Sequence, residues 1–342
     1  MPARSLRMAA AALMVAAMTT GAPAQVFEER FDRLLGWADD DHQAALSVFV
    51  NSCRFLRDPE WRPLCRLAPN VSNARQFFEM FFRPVVMAPD EQALFTAYFE
   101  PELRGARRRH GPYQTPLYRR PPDLPDGQAS LTRAEIENGA IAGRGLEIVW
   151  IDDPVEVFFL QIQGSGRVRL EDGTTIRVGY GGNNGHRYRS IGQEMVRRGL
   201  FAAHQVSAQV IRNWVRRNPA EGRALLHHNE SFVFFREIDS LRPDDGPIGA
   251  MGLPITTWRT VAVDPAFVPL GAPVWVEKGG EAPVRRLFIA QDTGSAIKGP
   301  QRADLFFGTG EAAGLAAGRI KDGGRLVVLL PIPLAERLLG RG

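Results

Sequence analysis

From Leu94 onward the chain breaks into short apolar runs separated by Gly and Pro, and this texture limits its possible folds more than any other feature. Amphipathic helices need an unbroken helical period, whereas short apolar runs closed by turn residues make strands. TAYFEP, LEIVWI, VEVFFLQIQGSGRVRL and TTIRVGY each read as strands, with Glu171-Asp172-Gly173 as the hairpin turn between the last two. Three helices are expected next, in SIGQEMVRRGL, SAQVIRNWVRRN and AEGRALLHHN. Past Phe232 the strands resume as VFFRE, TTWRTVAVD, APVWVE, RRLFIAQD and GRLVVLLP, interrupted by one helix over 310–321 that Gly323 is placed to end. Upstream, residues 28–87 carry apolar positions at helical spacing, and the pairs Phe77-Phe78 and Phe81-Phe82 read as core. The expected class is mainly β with flanking helices.

The first residues join Arg4 and Arg7 to an apolar Ala/Met/Leu/Val run that ends in Ala22-Pro23-Ala24. That pattern predicts a secretory signal peptide cut after Ala24, and the run is too short to span a bilayer comfortably. No cysteine sits near the cut to take a lipid, so stable membrane insertion is not expected and the periplasm is the expected compartment, in association with the outer membrane or the wall. The formal charge of +4 falls to +2 once Arg4 and Arg7 are lost, and so weak a field makes nucleic acid a poor partner. Cys53 and Cys65 favour one local disulfide in an exported chain, with two free buried thiols as the alternative. Zinc lacks further ligands, and no metal or cofactor is expected. The 318 residues beyond the cut suit two domains. The Pro-rich stretch 116–127 is the expected crossing between them.

Three aspartates stand out: Asp264 in VAVDP, Asp292 in IAQD and Asp304 in RAD. Singly, Asp264 before Pro265 reads as a turn former and Asp292 as a loop cap. Jointly, with Gly294, Ser295, Lys298 and Gly299 between two of them, they point to a functional loop, all three lying at strand ends around one cleft. The segment 161–167 places Gln161, Gln163 and Ser165 beside glycines on a strand, suited to hydrogen-bonding sugar hydroxyls or acetamido groups; an ordinary bulged strand fits it too. It lacks the Gly-x-Ser-x-Gly elbow of a serine hydrolase. The loop GYGGNNGHRYRSIG lacks both the Walker ending and the dinucleotide glycine spacing, so it reads as a groove-lining loop. Thr96, Tyr98 and Glu100 alternate along one strand face, either as a carbohydrate cleft or as the polar side of an edge strand.

TAYFEPELRGAR, PLYRRPPDL, VEVFFLQIQGSGR, VGYGGNNGHRYRSIG, VFFRE, AVDPAFVPLG and AQDTGSAIKGPQRADLFFGTGEAAGLAAG run in this order from about residue 94 to residue 331, and together they resemble the membrane-bound lytic murein transglycosylase A family. The resemblance implies a double-psi β-barrel built from the early and late parts of the chain, a smaller inserted β domain, and a groove between them for a peptidoglycan strand. The boundaries expected are a signal peptide to residue 24, helices and first barrel strands over 25–112, the insert over 113–240, and the C-terminal barrel part, a three-aspartate (3D) domain, over 241–342. Asp304 matches the family's catalytic acid, with Asp292 and Asp264 in support. Some family members are lipoproteins, but this chain lacks their anchor cysteine.

Cleaving the β-1,4 bond between N-acetylmuramic acid and N-acetylglucosamine needs a proton on the leaving oxygen and support for an oxocarbenium-like centre. One carboxyl group suffices if the muramyl C6 hydroxyl, rather than water, attacks C1. Asp304 would have to hold its proton far above the usual carboxylate range, through burial or a neighbouring Asp292. Thr96, Tyr98, Gln161, Gln163 and Ser165 would bind glycan, and Lys298 or Arg302 would meet lactyl or peptide carboxylates. Cell-wall synthesis or division proteins are the partner class that fits. A glycan hydrolase with Asp292 or Asp264 as base and a non-catalytic wall-binding protein are the competing readings.

Overall fold

The computed structural model describes residues 25–125 and 127–341, so the expected signal peptide lies outside the described residues. In chain order the described strands are β1 (Val26–Glu28), β2 (Phe82–Met87), β3 (Leu94–Glu100), β4 (Glu102–Ala106), β5 (Thr115–Tyr118), β6 (Glu147–Ile151), β7 (Gly166–Leu170) and β8 (Thr175–Asn183). They continue as β9 (Val233–Glu237), β10 (Thr260–Val263), β11 (Pro273–Lys278), β12 (Val284–Asp292), β13 (Arg302–Thr309), β14 (Lys321–Asp322) and β15 (Gly324–Pro331). One sheet runs β1-β2-β15-β11-β12-β10-β13-β3-β14, the other β5-β6-β4-β7-β8-β9.

The larger sheet curls into a nearly closed barrel. The short segment from Lys321 to Pro331 spans the sheet's opening, because β14 pairs with β3 at one end while β15 lies between β2 and β11 near the other. Gln301 stitches the same seam: its amide nitrogen donates to the carbonyls of Met87 (2.8 Å) and Leu326 (3.1 Å), and its amide oxygen accepts from the Leu326 N–H (2.9 Å). With the polar edge groups paired in this way, the interior can be apolar, and Phe95, Val261, Phe288, Ala303, Leu305 and Val328 fill it.

Helices Trp61–Leu67 and Ala74–Phe81 and the longer His42–Ser52 cover one side of the barrel. Side-chain caps start two of them, Asp41 accepting from the Ala44 N–H and Asn73 from the Gln76 N–H. Their aromatic faces join Phe49, Trp61, Phe77, Phe78 and Phe82 in one cluster. Cys53 and Cys65 are bonded, with Cα atoms 5.3 Å apart, tying the first helix to the second. The helical run expected over 28–87 stops at Phe81; Phe82–Met87 pairs instead with β1 and β15, and burial of Val85, Val86 and Met87 explains why these residues become strand.

The second sheet belongs to the inserted part. It takes in β4, which pairs in parallel with β7, so the chain leaves the barrel at Pro101, earlier than residue 113. The 116–127 stretch is not the crossing: it begins inside β5, which pairs with β6 in this same sheet. Another expectation fails in the insert. Residues 154–163 form a helix rather than a strand, because Pro154 occupies the first turn, Asp153 accepts from the N–H groups of Val155 and Glu156, and Gly164 closes the helix in the left-handed conformation at φ 79°. The expected hairpin at 171–173 is present between β7 and β8. Buried Arg133 holds the helical side of the insert, donating to Asn229 O, Ser231 O, Glu137 and Gln161 and stacking on Phe158.

Candidate active site

The strand that carries Asp304, β13, is absent from the strands expected from the sequence, and its register builds the site. Asp304 pairs with Thr96 of β3 on one side and with Ala262 of β10 on the other, while Ala262 pairs with Asp292 of β12. Paired residues on adjacent strands project from the same face, so Thr96, Asp304, Ala262 and Asp292 form one row across the barrel wall. Asp304 is therefore in the middle of a strand rather than at its end, and Asp292 closes β12 as expected. Two strand spacings, about 10 Å of backbone, separate the two aspartates. Ala262 between them presents only a methyl group. Alternate residues Ala303, Leu305 and Phe307 point into the core, which fixes Asp304 and Phe306 on the outer face.

Tyr98 lies two residues beyond Thr96 on that face, its ring packed on Phe306 with centroids 5.2 Å apart. Its hydroxyl donates to Asp292 Oδ2 at 2.9 Å. Asp292 Oδ1 accepts two backbone N–H groups, from Ala250 and Thr293, both at 2.9 Å. Thr96 Oγ1 donates to Asp304 Oδ1. Arg302, two residues before Asp304, sends Nη2 to Thr96 Oγ1 at 2.8 Å.

Protein surrounds Asp304 on most sides while water still reaches part of its side chain. Burial pushes its carboxyl up to about 6, against the pull of the Thr96 hydrogen bond and the Arg302 charge, with a small upward push from Asp292. Asp292 is also raised by burial, but three donors offset much of that. Tyr98 is held well above its ordinary value, first by burial and then by the Asp292 charge, so it remains a phenol and a donor. The arrangement is a carboxyl group able to keep its proton toward neutral pH beside a carboxylate already committed to three donors.

Asp264 does not join this pair. It follows β10 and accepts from the N–H groups of Ala266 (3.2 Å) and Gly299 (3.0 Å), while Lys298 Nζ stands 3.7 Å away. Burial pushes it upward, but those two N–H groups and Lys298 hold its carboxyl below the usual range. It anchors the 293–300 loop, and Lys298 extends from that loop into solvent. Gln161 faces away from the row: it is buried in the insert with its amide oxygen on Arg133 Nη2 at 2.6 Å, because residues 154–163 are helical and turn it inward. Gln163, at the helix end, accepts from the Phe99 N–H at 3.1 Å, and Ser165 lies in the turn that leads into β7. Both sit where the insert meets β3.

Glu100, also on β3, is 1% exposed. It accepts from Arg167 Nε (2.9 Å) and Arg177 Nη2 (3.0 Å), both on the insert, and from Thr309 Oγ1 (2.8 Å) at the end of β13. Both arginines also donate to Asp245 O, in the return crossing to the barrel. Alternation along β3 is enough to put Glu100 on a polar face, but no local signal identifies its partners. An open cavity of about 660 Å³ adjoins this junction, lined by Arg54, Arg242, Asp245, Gly246 and Thr257 among others. Gly246 and Thr257 border it and lie beside Phe306 and Gly308, on the strand of Asp304, with little room for a side chain on either glycine. Among the described residues no group of three or more His, Cys, Asp or Glu is arranged to hold a metal ion.

Residues 94–236 match the MltA specific insert domain and residues 259–330 match the 3D domain. Membrane-bound lytic murein transglycosylase A of Vibrio cholerae is 35% identical over 68% of this chain, a match that spans 64% of that protein. The crystal structure of membrane-bound lytic murein transglycosylase from Agrobacterium tumefaciens aligns with 92% of this chain and 99% of its own, at 33% identity and a TM-score of 0.83. The Escherichia coli MltA structure with bound chitohexaose aligns with 85% of this chain and 90% of its own, at 28% identity and a TM-score of 0.71.

Proposed function

The chain belongs to the membrane-bound lytic murein transglycosylase A family, and from that premise we propose that it cleaves the β-1,4 bond between N-acetylmuramic acid and N-acetylglucosamine in peptidoglycan with Asp304 as sole acid and base. The observation that carries this reading is the unequal standing of the carboxyl groups. Burial raises both Asp304, to about 6, and Asp292, but Asp304 accepts a side-chain hydrogen bond from Thr96, whereas Asp292 and Asp264 are each engaged by two backbone N–H groups and a further donor or cation. A carboxylate so engaged is a poor water-activating base.

In the proposed reaction Asp304 gives its proton to the glycosidic oxygen as that bond breaks, and C1 of the muramyl ring gains oxocarbenium character. The C6 hydroxyl oxygen of the same residue then bonds to C1, and the carboxylate of Asp304 takes the hydroxyl proton. The products are a 1,6-anhydromuramyl end and a free N-acetylglucosamine end; no water is consumed. Glycan bound along the outer face of the row would meet Tyr98 and Ser165, and Lys298 on its exposed loop suits lactyl or stem-peptide carboxylates. Chitohexaose, bound by the Escherichia coli relative, is an N-acetylglucosamine oligomer and fits this substrate class. Residues 25–100 and 241–341 form the barrel unit in this reading, and 101–240 the insert. The Cys53–Cys65 bond supports an oxidising compartment such as the periplasm.

The test is digestion of purified sacculi by residues 25–342, with Asp304→Asn alongside. Anhydromuramyl ends from the parent and none from the variant support the proposal; reducing muramic ends, one water heavier, would favour a hydrolase.

A further inference from the structure

Arg302 has an environment unlike that of a substrate-facing arginine. Its Nη1 donates to Leu94 O (3.2 Å) and Ala303 O (2.6 Å), and its Nη2 donates to Thr96 Oγ1 (2.8 Å). A guanidinium has donors only, so at this contact the threonine oxygen must accept. Thr96 owns one hydroxyl hydrogen, and that hydrogen lies along its second contact, to Asp304 Oδ1. Oδ1 is thereby an acceptor. A proton placed on Oδ1 would turn the threonine hydrogen away from this acceptor, so the carboxyl proton is favoured on Oδ2.

We infer that Arg302 is a positioning residue that, by fixing the direction of the Thr96 hydroxyl, confines the acid proton of Asp304 to Oδ2. The inference rests on Asp304 being the acid, and it assigns Arg302 to Asp304 rather than to the substrate. The fold makes the chain of contacts rigid. Arg302 and Asp304 are two apart on β13, Thr96 is the register partner of Asp304, and the carbonyls that hold Nη1 belong to the backbones of β3 and β13 themselves. Three hydrogen bonds to elements of the barrel wall leave the guanidinium little freedom. A carboxyl group that can protonate on either oxygen presents its proton to the leaving group only part of the time; one with a single protonation site presents it whenever it is protonated.

The charged and titratable groups around Asp304 are few, which makes a pH profile readable. Its own strand supplies Arg302, β12 supplies Asp292, β3 supplies the Tyr98 phenol, and β10 supplies only Ala262 in register. Lys321 of β14 is the register partner of Thr96 on the far side of β3. Thr96 and Arg302 both favour the ionised carboxylate, so removing either moves the alkaline limb of the pH profile upward.

The experiment measures pH–rate profiles for anhydromuramyl release from sacculi by the parent, Arg302→Met, Arg302→Lys, Thr96→Val, Thr96→Ser and Asp304→Asn. Arg302→Met and Thr96→Val should each lower kcat about 10- to 100-fold, with KM within about twofold, and move the alkaline limb up by about one pH unit. Thr96→Ser keeps the hydroxyl and should recover most of the rate; Arg302→Lys keeps a donor and should recover part. An unchanged kcat and limb in Arg302→Met, or a defect confined to KM, overturns the inference, the latter placing Arg302 on the substrate. Equal loss in Thr96→Ser and Thr96→Val overturns it too. If Arg302→Met fails to fold by circular dichroism, the threonine pair alone decides. Retention of turnover by Asp304→Asn would instead sink the acid assignment, a separate failure that these other variants do not mimic.

Discussion

Replacing Asp304 by Asn should make the protein more stable, and only above the acid range. Burial raises the carboxyl from 3.8 to about 6, which means that the folded state disfavours the charged form. Each tenfold gain in proton affinity corresponds to about 1.4 kcal/mol, so ionising Asp304 costs the fold up to about 3 kcal/mol. The sign follows from proton binding. Between pH 4 and pH 6 the folded chain holds a proton that the unfolded chain has lost, so stability falls as pH rises through this window and stays reduced above it. Below pH 4 both states are protonated and the cost vanishes. Asn has the same shape, its amide oxygen can accept the Thr96 hydroxyl in place of Oδ1, and it carries no charge at any pH. Thermal unfolding followed by circular dichroism at pH 4 and pH 8 should therefore show the variant and the parent melting together at pH 4, with the variant about 6 °C higher at pH 8. A variant that is equal or less stable at pH 8, or one whose advantage is the same at both pH values, would refute the reasoning. The gain in stability should accompany loss of turnover, the trade expected where a site holds a charge its surroundings resist.

Three further outcomes follow from the same structure. Glu100→Gln removes the acceptor charge from between Arg167 and Arg177 and should cost about 3–5 kcal/mol, read as a lower urea midpoint with an unchanged slope. Tyr98→Phe deletes one of three donors to Asp292, raising that carboxyl further; kcat should fall about 10-fold with melting lowered by a few degrees, and an unchanged kcat would remove Tyr98 from the site. Reducing the Cys53–Cys65 bond, whose ends are 12 residues apart, should cost about 3 kcal/mol of stability by the chain-entropy model while leaving turnover near its parent value below the lowered melting point, as measured with and without a thiol reductant.

How much of this was legible in the sequence depended on how local the signal was. The hairpin at 171–173 is written in a few adjacent residues, and it is readable. The helix at 154–163 was misread because Val155, Val157, Phe158 and Phe159 favour strands by type; the Asp153-Pro154 start and the Gly164 stop were the better evidence. Gln161 was assigned to the wrong surroundings as a direct consequence. β13 is hard to read because Arg302 and Asp304 interrupt its apolar pattern, although Gly299-Pro300 just before it is a turn signal. The row Thr96–Asp304–Ala262–Asp292 joins residues up to 208 positions apart through two parallel pairings, and no local pattern encodes such a register. Asp304 could be singled out by resemblance, but the reason its proton is retained depends on burial, and the roles of Arg302 and Glu100 depend on partners from distant strands.

The claim on which the account most depends is that the attacking oxygen belongs to the sugar. Digestion of sacculi in oxygen-18 water, followed by mass spectrometry of the released muropeptides, tests it directly. Anhydromuramyl ends carrying no heavy oxygen, formed by the parent and absent with Asp304→Asn, are the expected result. Muramic ends that have taken up oxygen-18 from the solvent would contradict it.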